Sequence, residues 1–398
     1  MYRRGFTISA ALFLTAGIAV SLLSQAPSGR TRVDSHRSLG APKSFKNLTL
    51  IPVYDSSAKS SNAYVTLDEG LRAGTVKVKE SGQGGEVNTL HVTNTGSKPV
   101  YIMAGEVVLG GQQDRCLGRD TIIPPNKKLV PIAVFCVEHG RWTGHKEFQE
   151  SACTVAAKEV RVAAQEGAFK AAAAPALAGQ REQVALGYAR ADSSLQSANG
   201  VGSGRARINT LGRASRRQSG DSGTSMAALG DAQQKVWASV EKKNAKFKAE
   251  SPTGTYRGVL NLAAGDAQKS VGPYFKALAG AADSDPTLVG MVAAVDGRVV
   301  AADVFSDTTL FRKLWPKLLR SYAADAAENG GAKTSGKPVV PSDARSFLIE
   351  ASDGRSKAQA KTDAATSWRV ESGASLSYRL VPNAAGGKAA IHENVLRK

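Results

Sequence analysis

The sequence predicts an α+β fold: an N-terminal antiparallel β-rich unit, sandwich or barrel-like, followed by helices and a C-terminal unit of β-hairpin, helix and strands. Three observations predict it. Short β-branched runs crowd residues 48–142, an apolar stripe of helical period occupies 311–322, and an Asp-Gly pair separates two apolar runs at 288–305.

The first element is a targeting segment. Arg3 and Arg4 precede an apolar stretch over residues 6–23, and Ser24-Gln25-Ala26 offers small residues for cleavage. Residues 1–26 therefore read as an export signal or, since ~18 apolar residues approach a membrane span, an N-terminal anchor. The expected location is periplasmic or secreted, with a membrane reached only through that segment if it is uncleaved. The Arg pair fits a twin-arginine signal as well as an ordinary positive n-region. Residues 27–45 are polar and broken by Pro and Gly, as in a linker.

Over 46–145 the runs LTLIPVY, GTVKVKE, NTLHVTNTG, PVYIMAGEVVLGG and KLVPIAVFCVE, separated by Gly, Pro and Asn, predict the strands of the β-rich unit. Residues 146–169 hold few breakers and predict a helix. Residues 170–225 are rich in Ala, Gly and Ser and carry a net +5, which predicts a basic low-complexity insertion outside the core.

Residues 226–398 form the second unit. Val236, Trp237, Val240 and Phe247 predict a helix over 231–248, and Asp296-Gly297 predicts a type I′ hairpin between 288–295 and 298–305. Phe311, Leu314, Trp315, Leu318, Leu319 and Tyr322 fall on one helical face, with Pro316 predicting a kink or a later helix start. WRVES, ASLSYRLV and KAAIHENV predict closing strands.

A net charge of +18 over 398 residues favours anionic partners, either a small molecule or an envelope polyanion, with a partner protein as a further class. The basic stretch lacks stacking aromatics, which argues against sequence-specific nucleic-acid reading. Three cysteines cannot form a disulfide scaffold, although Cys116 could pair with Cys136 or Cys153 in an oxidising compartment. Cys136, His139, His145 and Cys153 are metal-ligand types, but strand geometry sends Cys136 and His139 to opposite faces, so no metal site is expected. Gly200, Gly202 and Gly204 lack the strand and helix of a dinucleotide loop, and Gly220-Asp221-Ser222-Gly223 lacks the strand context of a serine nucleophile. No cofactor is expected.

The best candidate site lies where the β-rich unit ends. Alternation puts Val134, Cys136 and Glu138 on one face and Phe135, Val137 and His139 on the other, and the strand runs into Arg141 and Trp142. A guanidinium beside an indole suits a phosphate or carboxylate; the same pair also suits a sheet edge closed by Glu138–Arg141 with the indole over the core. Glu106, Gln113 and Arg115 follow glycine bends that could bring them to the same end. The leading expectation is an exported binding module that holds an anionic ligand or partner through Glu106, Gln113, Arg115, Glu138, Arg141 and Trp142. The alternative is a hydrolase of glycosidic or phosphate-ester bonds with Glu106 and Glu138 as its acid/base pair. The residues leave catalysis undecided.

From residue 48 to about 324 the chain resembles a bacterial family, the ARG and rhodanese-phosphatase-superfamily-associated protein domain. The resemblance rests on Tyr64-Val65-Thr66-Leu67-Asp68-Glu69, Gly105-Glu106-Val107-Val108, Gln113-Asp114-Arg115, the segment from Cys136 to Trp142, and the run through Asp303, Phe305, Phe311, Leu314, Trp315 and Tyr322. The family name implies an association with ADP-ribosylglycohydrolases and rhodanese- or phosphatase-like enzymes, hence nucleotide-derived or phosphorylated ligands by context. The export signal and the long basic insertion depart from a cytoplasmic nucleotide role.

Overall fold

The computed structural model describes residues 29–80, 88–141, 148, 154–173, 221–260, 265–328, 337–383 and 389–398. The expected export signal, Trp142, His145, Cys153, the glycine decoys at 200–204 and most of the basic stretch lie outside them. Among the described residues no helix is long and apolar enough to cross a membrane.

The chain forms strands β1 (Thr31–Arg32), β2 (Arg37–Leu39), β3 (Lys43–Phe45), β4 (Leu48–Asp55) and β5 (Val65–Thr66), helix α1 (Leu67–Arg72), then β6 (Val76–Lys79), β7 (Thr89–Asn94), β8 (Val100–Ile102), β9 (Val107–Val108), β10 (Arg115–Leu117), β11 (Thr121–Ile123) and β12 (Lys127–Cys136). Helices α2 (Lys158–Ala173), α3 (Asp221–Lys246), α4 (Arg257–Leu260) and α5 (Gly265–Leu278) follow. The hairpin β13 (Leu288–Val295) and β14 (Arg298–Phe305), α6 (Thr308–Glu328), α7 (Pro341–Ser352), β15 (Arg355–Lys361), β16 (Ala365–Ser372), β17 (Ser375–Pro382) and β18 (His392–Arg397) complete it.

These strands make an α+β protein, as the sequence predicts. The small β unit sets a five-stranded sheet, β6-β7-β12-β10-β9, against a three-stranded one, β11-β8-β5. Val76, Val78, Leu90, Val92, Ile102, Ile132 and Val134, inward residues of their strands, fill the space between together with Leu67 of α1. Thr66 starts α1 with a capping box: its hydroxyl accepts from the Glu69 amide while the Glu69 carboxylate accepts from the Thr66 amide.

The larger sheet corrects the expected division of the chain. Its strands run β1-β2-β4-β13-β14-β18-β17-β16-β15, with β3 beside β4. LTLIPVY thus leaves the small β unit to pair with β13, and the polar segment expected as a linker supplies β1 to β3. The reason is burial on both faces. Along β13, Leu288, Met291, Ala293 and Val295 enter the core that α6 covers, whereas Val289, Val292 and Ala294 face the side covered by α7. A central strand without a polar face needs apolar neighbours on either side, and LTLIPVY is such a run.

The hairpin matches its expected bounds, with Asp296 and Gly297 both at positive φ. The helix expected over 231–248 is the second half of α3, which begins ten residues earlier at Asp221 and ends two residues sooner at Lys246. α6 runs unbroken through Pro316 instead of restarting after it. Of the helix expected over 146–169, the described part is α2, whose first amide, that of Lys158, is accepted by Asp325, and just before it Val155 bridges Glu106. The ends of the expected 170–225 insertion are likewise helical, in α2 and α3. α7 and β15 were not foreseen.

Candidate functional site

Glycine geometry and a docking loop build one pole of the small β unit. Gly110 and Gly111 both take positive φ, and their carbonyls turn onto Arg141. Beyond β12 the amides of His139 and Gly140 donate to Thr253 O, and the Tyr256 amide donates to Val137 O. That loop and the start of α4 carry Thr255 and Arg257 onto Asp114.

Asp114 is the hub. Its Oδ1 accepts from the Gly110 amide at 2.9 Å and Arg257 Nη2 at 2.7 Å, and its Oδ2 accepts from Arg257 Nε at 2.6 Å and Thr255 Oγ1 at 3.1 Å. Arg141 completes the set: Nη2 lies 3.3 Å from Asp114 Oδ1, Nε donates to Glu138 Oε2 at 2.9 Å, and Nη1 donates to Gly111 O at 2.7 Å. Asp114 and Glu138 are buried while the Arg257 side chain is 47% exposed. The Asp114 carboxylate pulls the Arg257 guanidinium above its ordinary pKa against the smaller cost of burial. Beside them Gln113 donates to His139 O, and Arg115, fully buried, reaches Gln113 Oε1 and Glu80.

Four of the expected site residues, Gln113, Arg115, Glu138 and Arg141, therefore meet at one pole, and Trp142 lies outside the described residues. Glu106 does not join them. It sits opposite Leu117, whereas Glu138 lies level with Gln113, four residues or about 13 Å along the sheet. Glu106 is buried against Lys317, which also binds Asp68, and it accepts from the Met103 amide. Burial pushes the Glu106 carboxyl up; Lys317 opposes that and Asp68 reinforces it, leaving it above the ordinary range. Glu106 and Glu138 are thus each held by a cation of their own, Lys317 and Arg141.

Strand alternation holds as expected: Phe135 and Val137 enter the core with α2 and α3, Val134 the core between the small sheets. His139 packs edge-on against Trp237 at 4.3 Å. Cys116 pairs with Phe135 and Cys136 with Arg115, so the two thiols point to opposite faces and form no disulfide with each other, which corrects a 116–136 bridge. Burial raises the pKa of both, to about 12 for Cys116 and about 11 for Cys136.

A second polar cluster went unforeseen. At its centre His392 lies between Asp120 (Nδ1 to Oδ2, 2.6 Å) and Asp303 (Nε2 to Oδ1, 3.1 Å) and stacks on Phe305. Arg161 donates to Asp303 at 2.8 Å, and Tyr322 and Asn394 also donate to that carboxylate. All are buried. Burial alone would lower the His392 pKa, but Asp120 and Asp303 outweigh it and raise it to about 9. Burial would raise Asp303, yet Arg161 and His392 hold it well below the usual carboxylate range. The signal in the sequence was one acid, Asp303, inside the otherwise apolar run VVAADVF.

A family model described as the ARG and Rhodanese-Phosphatase-superfamily-associated Protein domain matches residues 36–184 and 191–396. The chain belongs to that family. No curated protein and no solved structure matches it significantly. In this member of the ARG and rhodanese-phosphatase-associated family, the motif residues Asp68, Glu106, Asp114, Arg115, Glu138, Asp303 and Tyr322 all lie inside, in ion-paired or hydrogen-bonded groups.

Proposed function

We propose that the chain is an exported, non-catalytic binding module that takes an anionic ligand, or an acidic patch of a partner protein, at the Asp114 pole. One observation carries this reading: Arg257 is fixed on the buried Asp114 through Nε and Nη2 while nearly half its side chain faces solvent. A guanidinium held in place by a buried carboxylate loses little freedom on meeting an anion, and its outward edge keeps donors for a carboxylate or phosphate. Arg141, behind it, is already committed to Glu138 and two carbonyls and supports the pole. Against catalysis stands the pairing of each candidate carboxylate with its own cation, Glu106 with Lys317 and Glu138 with Arg141. The export part of the reading rests on the N-terminal sequence and expects a mature form beginning near Pro27 outside the cytoplasm.

The test is a thermal-shift screen with nucleotides, sugar phosphates and anionic envelope glycans, repeated on Arg257→Ala. The expected result is stabilisation by at least one anion, growing with its concentration and lost in the variant, each shift being read from that protein's own ligand-free melting temperature. Equal stabilisation of parent and variant, or none by any anion, would refute the site.

A further inference from the structure

The opposite pole of β12 carries a surface that the ion-pair networks do not use. Asn94 donates its side-chain amide to the carbonyls of Lys98, Ile123 and Pro124 and so clamps the turn after β7 against the turn before β12. Lys98, Lys127 and Lys128 are exposed at this corner. The Leu129 amide donates to Thr93 Oγ1, and Thr93 is level with Lys77 on β6, which places the exposed Lys77 on the same outer face. Lys77, Lys127 and Lys128 have no acidic partner among the described residues, whereas Asp68, Glu80, Glu106, Asp114, Asp120 and Glu138 of this unit each face a cation.

In the middle of these lysines stands Leu129, 63% exposed and the most exposed large apolar side chain among the described residues. Its φ is +54°, in the left-handed region that an L-residue enters at a cost and that Gly or Asn enters readily. Neither core packing nor turn chemistry accounts for a leucine there. A bilayer interface accounts for both features, since it solvates an apolar side chain and an anionic headgroup layer attracts the lysines around it.

We infer that the corner formed by Lys77, Lys98, Lys127, Lys128 and Leu129 docks on an anionic lipid surface, with Leu129 entering the headgroup layer. The inference stands apart from the Asp114 pole: either can fail without the other. A soluble polyanion would also attract the lysines but gains nothing from the leucine, which is what separates the two.

The experiment is co-sedimentation of the full chain with vesicles of phosphatidylcholine alone or with one third phosphatidylglycerol, at low and high salt. The apolar stretch 6–23, with Arg3 and Arg4 beside it, is present in every variant, so differences between variants in the preference for anionic vesicles report the corner. We expect salt-sensitive binding in excess on the phosphatidylglycerol vesicles. Lys127→Ala with Lys128→Ala should lower that excess roughly 25-fold, at about fivefold per lysine. Leu129→Asn, which suits positive φ and keeps the fold, should lower it several-fold, and Lys276→Ala, a charge loss elsewhere, should leave it nearly unchanged. Equal binding of the parent to both vesicle types would overturn the inference. So would parental binding by Leu129→Asn, and inorganic polyphosphate binding that falls only in the lysine variant would then assign the corner to a soluble polyanion.

Discussion

Raising the pH should loosen this protein through one buried imidazole. His392 is held protonated by Asp120 and Asp303, with its pKa raised to about 9, while an unfolded histidine titrates near ~6.5. Below about pH 6.5 both states carry the proton and the full stabilisation is present. Between the two values the unfolded chain has lost its proton and the folded one keeps it, so stability falls as pH rises and levels off once the folded state also deprotonates. The separation corresponds to roughly 3 kcal/mol at ~1.4 kcal/mol per unit. At ~2–4 °C per kcal/mol that is a drop in melting temperature on the order of 6–12 °C. The assay is thermal unfolding followed by circular dichroism from about pH 6 to 10, on the parent and on His392→Gln. Other titrating groups contribute to both curves, so the readout is the difference between them, which should shrink by about 3 kcal/mol across the window. A difference independent of pH would refute the charged imidazole.

Two further outcomes concern the small β unit. Arg141→Ala leaves the buried Glu138 without its cation and should cost on the order of 3 kcal/mol in chemical denaturation, with part of the loss recovered by adding Glu138→Gln; no recovery would mean that the two carbonyl contacts dominate. Cys116 and Cys136 should resist alkylation near pH 8 in the folded protein and react after denaturation, as mapped by peptide mass spectrometry, because burial keeps both as thiols.

Local signals were legible where one face of an element decides it. The Asp-Gly hairpin, the 311–322 stripe and the alternation through Phe135 and Val137 each follow from a period visible in the sequence, and each element forms where expected. Long-range partnership was not legible. Nothing in LTLIPVY says that it pairs with a strand more than 200 residues later, and the polar stretch before it reads as a linker because edge strands satisfy their backbone without an apolar pattern. The candidate site divided in the same way. Gln113, Arg115, Glu138 and Arg141 are close in strand register and were found together, whereas Arg257 arrives on a distant loop and carries no local mark. Glu106 misled because a glutamate after a glycine looks accessible, and only the placement of Lys317 on α6 buries it.

The amide of Gln233 on α3 has a consequence for how this chain can vary. Its Oε1 accepts from the Cys136 amide and its Nε2 donates to the Cys136 carbonyl, so one side chain occupies the place of a neighbouring strand at the end of β12. The helix is thereby located by a contact of its own, together with its packing on α2, and needs no guidance from the chain that leads into it. The position of α3 on β12 therefore depends on Gln233 and on the α2 face, and a substitution at either moves the helix where changes of sequence elsewhere leave it in place.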